Sequence, residues 1–204
     1  ILEEHGETLT RHFYERMFPH NPEVAPLFNP ANQAAGLQQK ALAGAICAYA
    51  ANIDNLEALG GAVELIAQKH VSLQIHPEHY PIVGENLLAS ISEVLGEGAT
   101  DAVIDAWAEA YGFLADILIG REKQIYSEHA ELAGGWMGFR TFRIVSKEVE
   151  SSVITSFYLV PVDGGELPAY KPGQYITLRD RTVTPPCVTT AFPTNQARIT
   201  FASA

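Results

Sequence analysis

Ile66-Ala67-Gln68-Lys69-His70-Val71-Ser72-Leu73, with the segment that leads into it from Leu56, is the stretch on which the reading of this chain turns. Leu56, Leu59, Val63, Ile66, His70 and Leu73 recur at alternating spacings of three and four, which puts them on one stripe of a helix. An ionisable ring therefore stands where an apolar face wants another leucine. Two readings fit that position. One is a core histidine hydrogen-bonded to a backbone carbonyl. The other is a ligand to haem iron, which in an apolar pocket requires a neutral imidazole.

The flanking segments are helical on the same grounds. Leu2, Leu9, Phe13 and Met17 make an amphipathic helix that Pro19 and Pro22 should stop, and Asn21-Pro22 and Asn29-Pro30 are cap-then-proline starts around a corner that carries Phe28. A helix over residues 38–53 sets Leu42, Ile46 and Tyr49 on one side with Gln38 at its head. His76-Pro77-Glu78 opens another, with Tyr80, Val83, Leu87, Ile91 and Val94 on its stripe, and Gly96-Glu97-Gly98 breaks it. The longest runs from Asp101 to Glu131, with Trp107, Tyr111, Leu114, Leu118, Glu122 and Ile125 on a single face. The period changes after Ala133-Gly134-Gly135-Trp136. Alternation over 139–145, 153–160 and 170–178 reads as the opening strands of a small barrel.

Bulk properties exclude several functions. The chain has 204 residues, 47% of them hydrophobic, a formal net charge of −11 and no basic run, which argues against nucleic acid and anionic membrane surfaces. No apolar run reaches membrane length, and Cys47 and Cys187 lie far apart without metal-type spacing. These features point to the reducing cytoplasm without stable membrane association, and a monomer is expected. The opening Ile1-Leu2-Glu3-Glu4 reads as the middle of a helix, so the N-terminus is expected to be cut.

The runs His12-Phe13-Tyr14-Glu15-Arg16-Met17-Phe18, Ile66 to His70, Ala133-Gly134-Gly135-Trp136 and Tyr170-Lys171-Pro172-Gly173-Gln174-Tyr175 occur in this order, and together they resemble the bacterial flavohaemoglobins over Leu2 to Leu178. The resemblance implies an all-α globin domain followed by the first strands of an incomplete ferredoxin-reductase-type β-barrel. It places the globin in 1–133, a linker in 134–138, and the start of an FAD-binding barrel in 139–180. It implies haem b with His70 as the proximal ligand, and Tyr80 and Glu122 as the pair that fixes and polarises the imidazole. For Glu122 the residue pattern by itself also allowed a helix-end charge turned to solvent. On the other side of the ring the resemblance places Tyr14, Gln38 and Leu42, with Phe28 wedged against the macrocycle; by pattern alone Tyr14 and Phe28 are equally aromatic core. Lys69 and Val83 join the haem-binding set, and Tyr170 and Gln174 the flavin-binding set. The remaining histidines, His5, His12, His20, His76, His79 and His129, read as surface residues.

The implied activity is dioxygenation of NO by O2 to nitrate, with electrons from NADH or NADPH passing through FAD. Rival readings are a non-enzymatic globin that binds or senses O2, and a helical interaction module without cofactor. Residues 181–204 leave the family pattern and read as neither clean strand nor clean loop. The Arg-x-Tyr-Ser run that holds the flavin in the family is missing, as is the nicotinamide domain. With suitable synonymous codons, Cys187 to Ala204 read one base earlier becomes Met-Arg-Asn-Tyr-Ser-Leu-Ser-Asp-Lys-Pro-Gly-Lys-Asp-Tyr-Phe-Arg-Ile-Ser, which restores that run. The expectation is therefore that 181–204 is translated out of frame, leaving FAD and NAD(P)H sites incomplete.

Overall fold

The computed structural model describes residues 2–169, 174, 176–180, 187–195 and 198–202, with residues 2–5, 180, 187–195 and 198–202 described by their backbone alone. It divides into two compact units, Ile1–Glu122 and Lys123–Ala204.

Among the described residues six α-helices precede the strands: α1 Leu2–His20, α2 Pro30–Ala34, α3 Leu37–Ala51, α4 Gly60–Ser72, α5 His79–Leu95 and α6 Asp101–Glu131. Helix α1 buries Leu9, Phe13, Tyr14 and Met17, and α5 buries Leu87 and Ile91 against them. Their three- and four-residue spacings turn each set toward the other helix, and every such side chain withdrawn from water contributes roughly 1.5–3 kcal/mol. Thr10 is fully buried among them because its hydroxyl donates back to the Gly6 carbonyl at 3.0 Å.

Several helix boundaries differ from the pattern reading: α3 ends at Ala51 and α5 begins only at His79. Helix α1 runs through Pro19 to His20, so Pro19 forgoes its own hydrogen bond to the fourth residue back and the helix ends one residue later. The stripe from Leu56 is broken into a 3-10 turn, Leu56–Leu59, and α4, because Gly60-Gly61 raises the entropic cost of a continuous helix. The turn at Asn21-Pro22 leads only into the 3-10 segment Ala25–Leu27, whereas Asn29 caps α2 by accepting from Ala31 N–H at 2.9 Å. The longest helix has the expected bounds. No helix among the described residues is long and apolar enough to cross a membrane.

The second unit contains β1 Phe142–Ser151, β2 Ile154–Pro161, β3 Ile176–Asp180, β4 Cys187–Asn195 and β5 Arg198–Ala202. They form an antiparallel sheet in the order β1-β2-β5-β4-β3. The first strand starts later and runs further than expected. Arg140 lies outside it, held by Asp163 at 2.6 and 2.9 Å and by the Glu166 carbonyl at 2.8 Å, with its guanidinium over the Trp136 ring. The reading of 181–204 as neither strand nor loop is corrected for 187–195 and 198–202, which pair as β4 and β5. Val188, Thr189, Thr190, Phe192, Ile199, Thr200 and Phe201 are residues that suit a pleated surface, and β2 offers them an unpaired side.

One packing contact in the first unit bears on the site. A Cβ at Gly84 would lie 2.7 Å from Tyr111 Cε1, so only glycine on α5 admits that ring. The ring in turn lets the Tyr111 hydroxyl donate to the Tyr80 carbonyl at 2.6 Å. Gly84→Ala is therefore expected to destabilise the chain by about 1–3 kcal/mol through overpacking, read as a lower urea midpoint with an unchanged slope.

Candidate functional site

Helices α4, α5 and α6 bring three chemically different side chains to one point. His70 Nδ1 lies 2.7 Å from Glu122 Oε1 and 3.1 Å from the Tyr80 hydroxyl, and that hydroxyl lies 2.6 Å from the same carboxylate oxygen. A carboxylate only accepts, so Nδ1 carries the imidazole proton and donates it to Glu122, while Tyr80 donates its own. The tautomer follows. The lone pair is on Nε2, which has no hydrogen-bond partner among the described residues, and the His70 side chain keeps 31% of its surface open while that of Glu122 keeps 3%. With Glu122 only 2% exposed as a residue, a helix-end charge turned to solvent is excluded.

The helices that carry this triangle are tied together close by. Arg121, the neighbour of Glu122 on α6, grips Glu64 on α4 through two nitrogens, Nε to Oε2 at 2.6 Å and an N–H2 to Oε1 at 3.1 Å. Gln68 adds a bond to Glu64 at 2.9 Å, and these hydrogen bonds, that from Arg121 foremost, hold the Glu64 pKa down to about 2. Tyr111 ties the first turn of α5 to α6 from the other side, and burial raises its pKa.

The stripe of α4 is not packed as a core would be. Ala67 and Val71 are the buried residues of α4, whereas Leu56, Leu59, Val63, Ile66, His70 and Leu73 are all half-buried. A second group is organised by α1, α3 and α5. Tyr14 is 7% exposed and has its ring edge-on to Phe28 at 5.6 Å, and Phe28, Leu42 and Val83 are partly buried against the same cluster. Val83 sits three residues beyond Tyr80, so α5 serves both groups. Desolvation pushes the Tyr14 pKa up to about 12 while the Gln33 side chain pulls the other way, so the phenol stays protonated and can donate. Gln38, in the first turn of α3, accepts from Gln33 Nε2 at 2.7 Å.

Among the remaining expected site residues, Lys69 is exposed, yet its surroundings desolvate the ammonium enough to lower its pKa. Gln174 is exposed in the second unit, and Tyr170 lies outside the described residues. Of the histidines expected at the surface, His20 is exposed, but His12, His76, His79 and His129 are half-buried, and the His5 side chain is outside the described set. His12 is drawn in because Nδ1 meets Ser90 at 3.1 Å and Nε2 meets Glu93 at 3.1 Å. Gln33, Tyr111 and the Arg121–Glu64 clamp were not anticipated. Gly84, on the apolar stripe of α5, is a sequence signal that could have pointed to a close approach there.

No group of three or more His, Cys, Asp or Glu among the described residues could hold a bare metal ion. A single imidazole with its lone pair presented from an apolar stripe fits instead a metal that brings its own equatorial nitrogens, as in a haem.

Comparison with known proteins gives the family. The family model described as Globin matches residues 11–118. The chain belongs to the globin family. This globin is 62% identical over 178 residues to the flavohemoprotein of Rhodopirellula baltica, which covers 87% of the chain and 44% of that protein. The chain thus spans less than half the length of the curated relatives it matches. Its fold is similar to that of the flavohemoglobin of Malassezia yamatoensis, a crystal structure with bound FAD and heme, with a TM-score of 0.82 at 27% identity, over 98% of this chain and 54% of that one. It is also similar to an engineered carbene transferase made from a candidate nitric oxide dioxygenase of Rhodothermus marinus, with a TM-score of 0.60 at 37% identity, over 64% and 89% of the two chains. The globin helices and the antiparallel strands after them correspond to the globin domain and the start of the reductase domain of a flavohemoglobin.

Two outcomes are expected. Tyr80→Phe leaves the buried Glu122 with one donor fewer and should cost about 1–3 kcal/mol in denaturant unfolding. The Glu64–Arg121 clamp contributes stability above the ordinary carboxylate pKa of the unfolded chain, because the folded pKa is the lower one. That contribution should fade as pH falls from about 4.5 toward 2, and the acid limb of an unfolding titration should flatten in Glu64→Gln.

Proposed function

We propose that this globin carries haem b on His70 and serves a nitric oxide dioxygenase, turning NO and O2 into nitrate. The single observation that carries the reading is the His70–Tyr80–Glu122 triangle, which fixes Nδ1–H on the imidazole and turns its Nε2 lone pair outward.

Haem b, when bound, supplies an iron that takes up diatomic ligands and changes oxidation state. The chain's residues do the rest. His70 gives its Nε2 lone pair. Glu122 accepts the Nδ1 proton, lending the ring imidazolate character, and Tyr80 holds the carboxylate in place. This strongly donating arrangement suits activation of O2 rather than its storage, which disfavours a purely O2-binding or sensing globin. The Tyr14 hydroxyl and the Gln38 amide would be the donors to a ligand on the iron, Leu42, Phe28 and Val83 would keep water out, and Lys69 is next to His70 in the chain.

For FAD the residues present do not make a fit: Gln174 is exposed, and the chain has no Arg-x-Tyr-Ser run as written. The out-of-frame origin of 181–204 remains part of this reading, and sequencing the gene across codons 178 to 204 tests it. An in-frame gene would end it.

His70→Ala should lose most of its haem on purification, seen as a collapse of the Soret band relative to protein absorbance. Full retention with an unchanged spectrum would sink the assignment. Glu122→Gln keeps the size but removes the charge, and the iron–imidazole stretch in resonance Raman should fall. Tyr14→Phe should speed O2 release by about threefold to tenfold, the range set by one ordinary hydrogen bond, in stopped-flow displacement. The activity itself is tested by NO consumption with NADPH and added FAD, compared with an external reductant.

A further inference from the structure

Three glutamines make a directed chain between α2 and α3. Gln39 Nε2 lies 3.0 Å from Gln33 Oε1 and 3.4 Å from the Gln33 backbone carbonyl, and Gln33 Nε2 lies 2.7 Å from Gln38 Oε1. Gly36, with φ +71°, folds α2 back on the start of α3 so that residue 33 can reach both.

The two ends of an amide have nearly the same shape, so its direction is read from its partners. The chain has a fixed starting point. A backbone carbonyl only accepts, so the end of Gln39 that faces Gln33 O is N–H2. Gln33 must then turn its oxygen toward Gln39 and its nitrogen toward Gln38. Gln38 is left with its carbonyl occupied and its N–H2 without a hydrogen-bond partner among the described residues. Reversing all three amides would set two oxygens against each other at the Gln33 backbone. The observed direction has its own cost, since the buried Gln39 Oε1 has no partner among the described residues. The same Gln33 side chain also acts on the Tyr14 hydroxyl, the other donor assigned to the pocket.

We propose that Gln33 is a positioning residue: it holds the Gln38 amide so that the N–H2 end, not the carbonyl, is presented to a ligand beside Tyr14. This rests on the haem-pocket reading above and deepens it. Gln38 alone, in the first turn of a helix and half exposed, could offer either end. A donor attracts the partial negative charge on the far atom of a diatomic ligand, whereas a carbonyl repels it. Gln33 thereby decides the sign of the field that Gln38 applies.

Carbon monoxide on the ferrous protein is the probe, because its C–O stretch falls when a donor faces the oxygen and rises when a lone pair does. Gln38→Leu removes the donor and sets the reference shift. Gln33→Glu replaces the donating end of this side chain by an acceptor, so Gln38 should turn its N–H2 onto the introduced carboxylate and its carbonyl onto the ligand. The stretch should rise at least as far as in Gln38→Leu, and adding Gln33→Glu to Gln38→Leu should bring a clearly smaller shift than Gln33→Glu brings alone, since only the contact with Tyr14 is then left to change. An undiminished effect of Gln33→Glu in the Gln38→Leu background overturns the proposal. So does an unmoved stretch in Gln33→Glu where Gln38→Leu moves it.

If the chain takes up no haem, or Gln38→Leu leaves the stretch unchanged, the pocket reading has failed, and a measurement without haem then decides the relay. In NMR of the chain with isotope-labelled glutamine amides, Gln38→Leu should move the Gln33 side-chain amide protons upfield, as their acceptor is lost. Unmoved Gln33 protons overturn the relay.

Discussion

A carboxylate with 2% of its surface exposed, far along a helix that otherwise buries apolar side chains, is the constraint around which the first unit is arranged. An ion so placed is costly unless its oxygens are met by donors. Glu122 is met by two, the Tyr80 hydroxyl at 2.6 Å and the His70 ring at 2.7 Å. The requirement is mutual. The carboxylate needs the donors to be tolerated, and the imidazole needs the carboxylate to settle which nitrogen keeps the proton. What emerges is a ring whose lone pair has a single direction.

The surrounding frame keeps those distances short. Arg121 and Glu64 lock α6 to α4 beside the triangle, and Tyr111 locks α6 to α5 through the Tyr80 carbonyl. Each tie joins the helix that bears Glu122 to a helix that bears one of its donors, so the three side chains cannot drift apart without breaking a bond nearby. Gly84 belongs to the same frame as the place where a missing side chain makes room for the Tyr111 ring. Around Tyr14, aromatic edges and a line of amides through Gln33 set a few polar groups among apolar side chains.

The second unit is a sheet with unlike edges. Its inner strand β2 buries Ser156 and Leu159, with Phe142, Phe157, Ile176 and Leu178 against Leu159. Strand β1 leaves nearly every residue exposed, Val149 at 76%. Backbone pairing rather than a filled core thus sets its outer strand, and a segment that departs from the family pattern can still join such a sheet because ladder hydrogen bonds ask little of side-chain identity.

The sequence alone determined the helices, the switch to strands after Trp136, and the places of His70 and Glu122 on apolar stripes, all of which are written in local periodicity. The pairing of His70 with Tyr80 and Glu122 came from the family resemblance that the ordered runs carry. A 3.6-residue period reports which side of a helix is apolar, and His70 and Glu122 stand out as the polar members of two such sides. What periodicity does not carry is distance between helices. The burial of Glu122, the imidazole tautomer, the grip of Arg121 on Glu64 and the insertion of Tyr111 over Gly84 depend on residues 42 to 57 positions apart or on ring against backbone, and only packing decides them. Gln33 was illegible for a different reason: a left-handed turn at Gly36 separates it from Gln38, so no helical period relates the two. The amide direction that follows was decided by one backbone carbonyl that can accept but not donate.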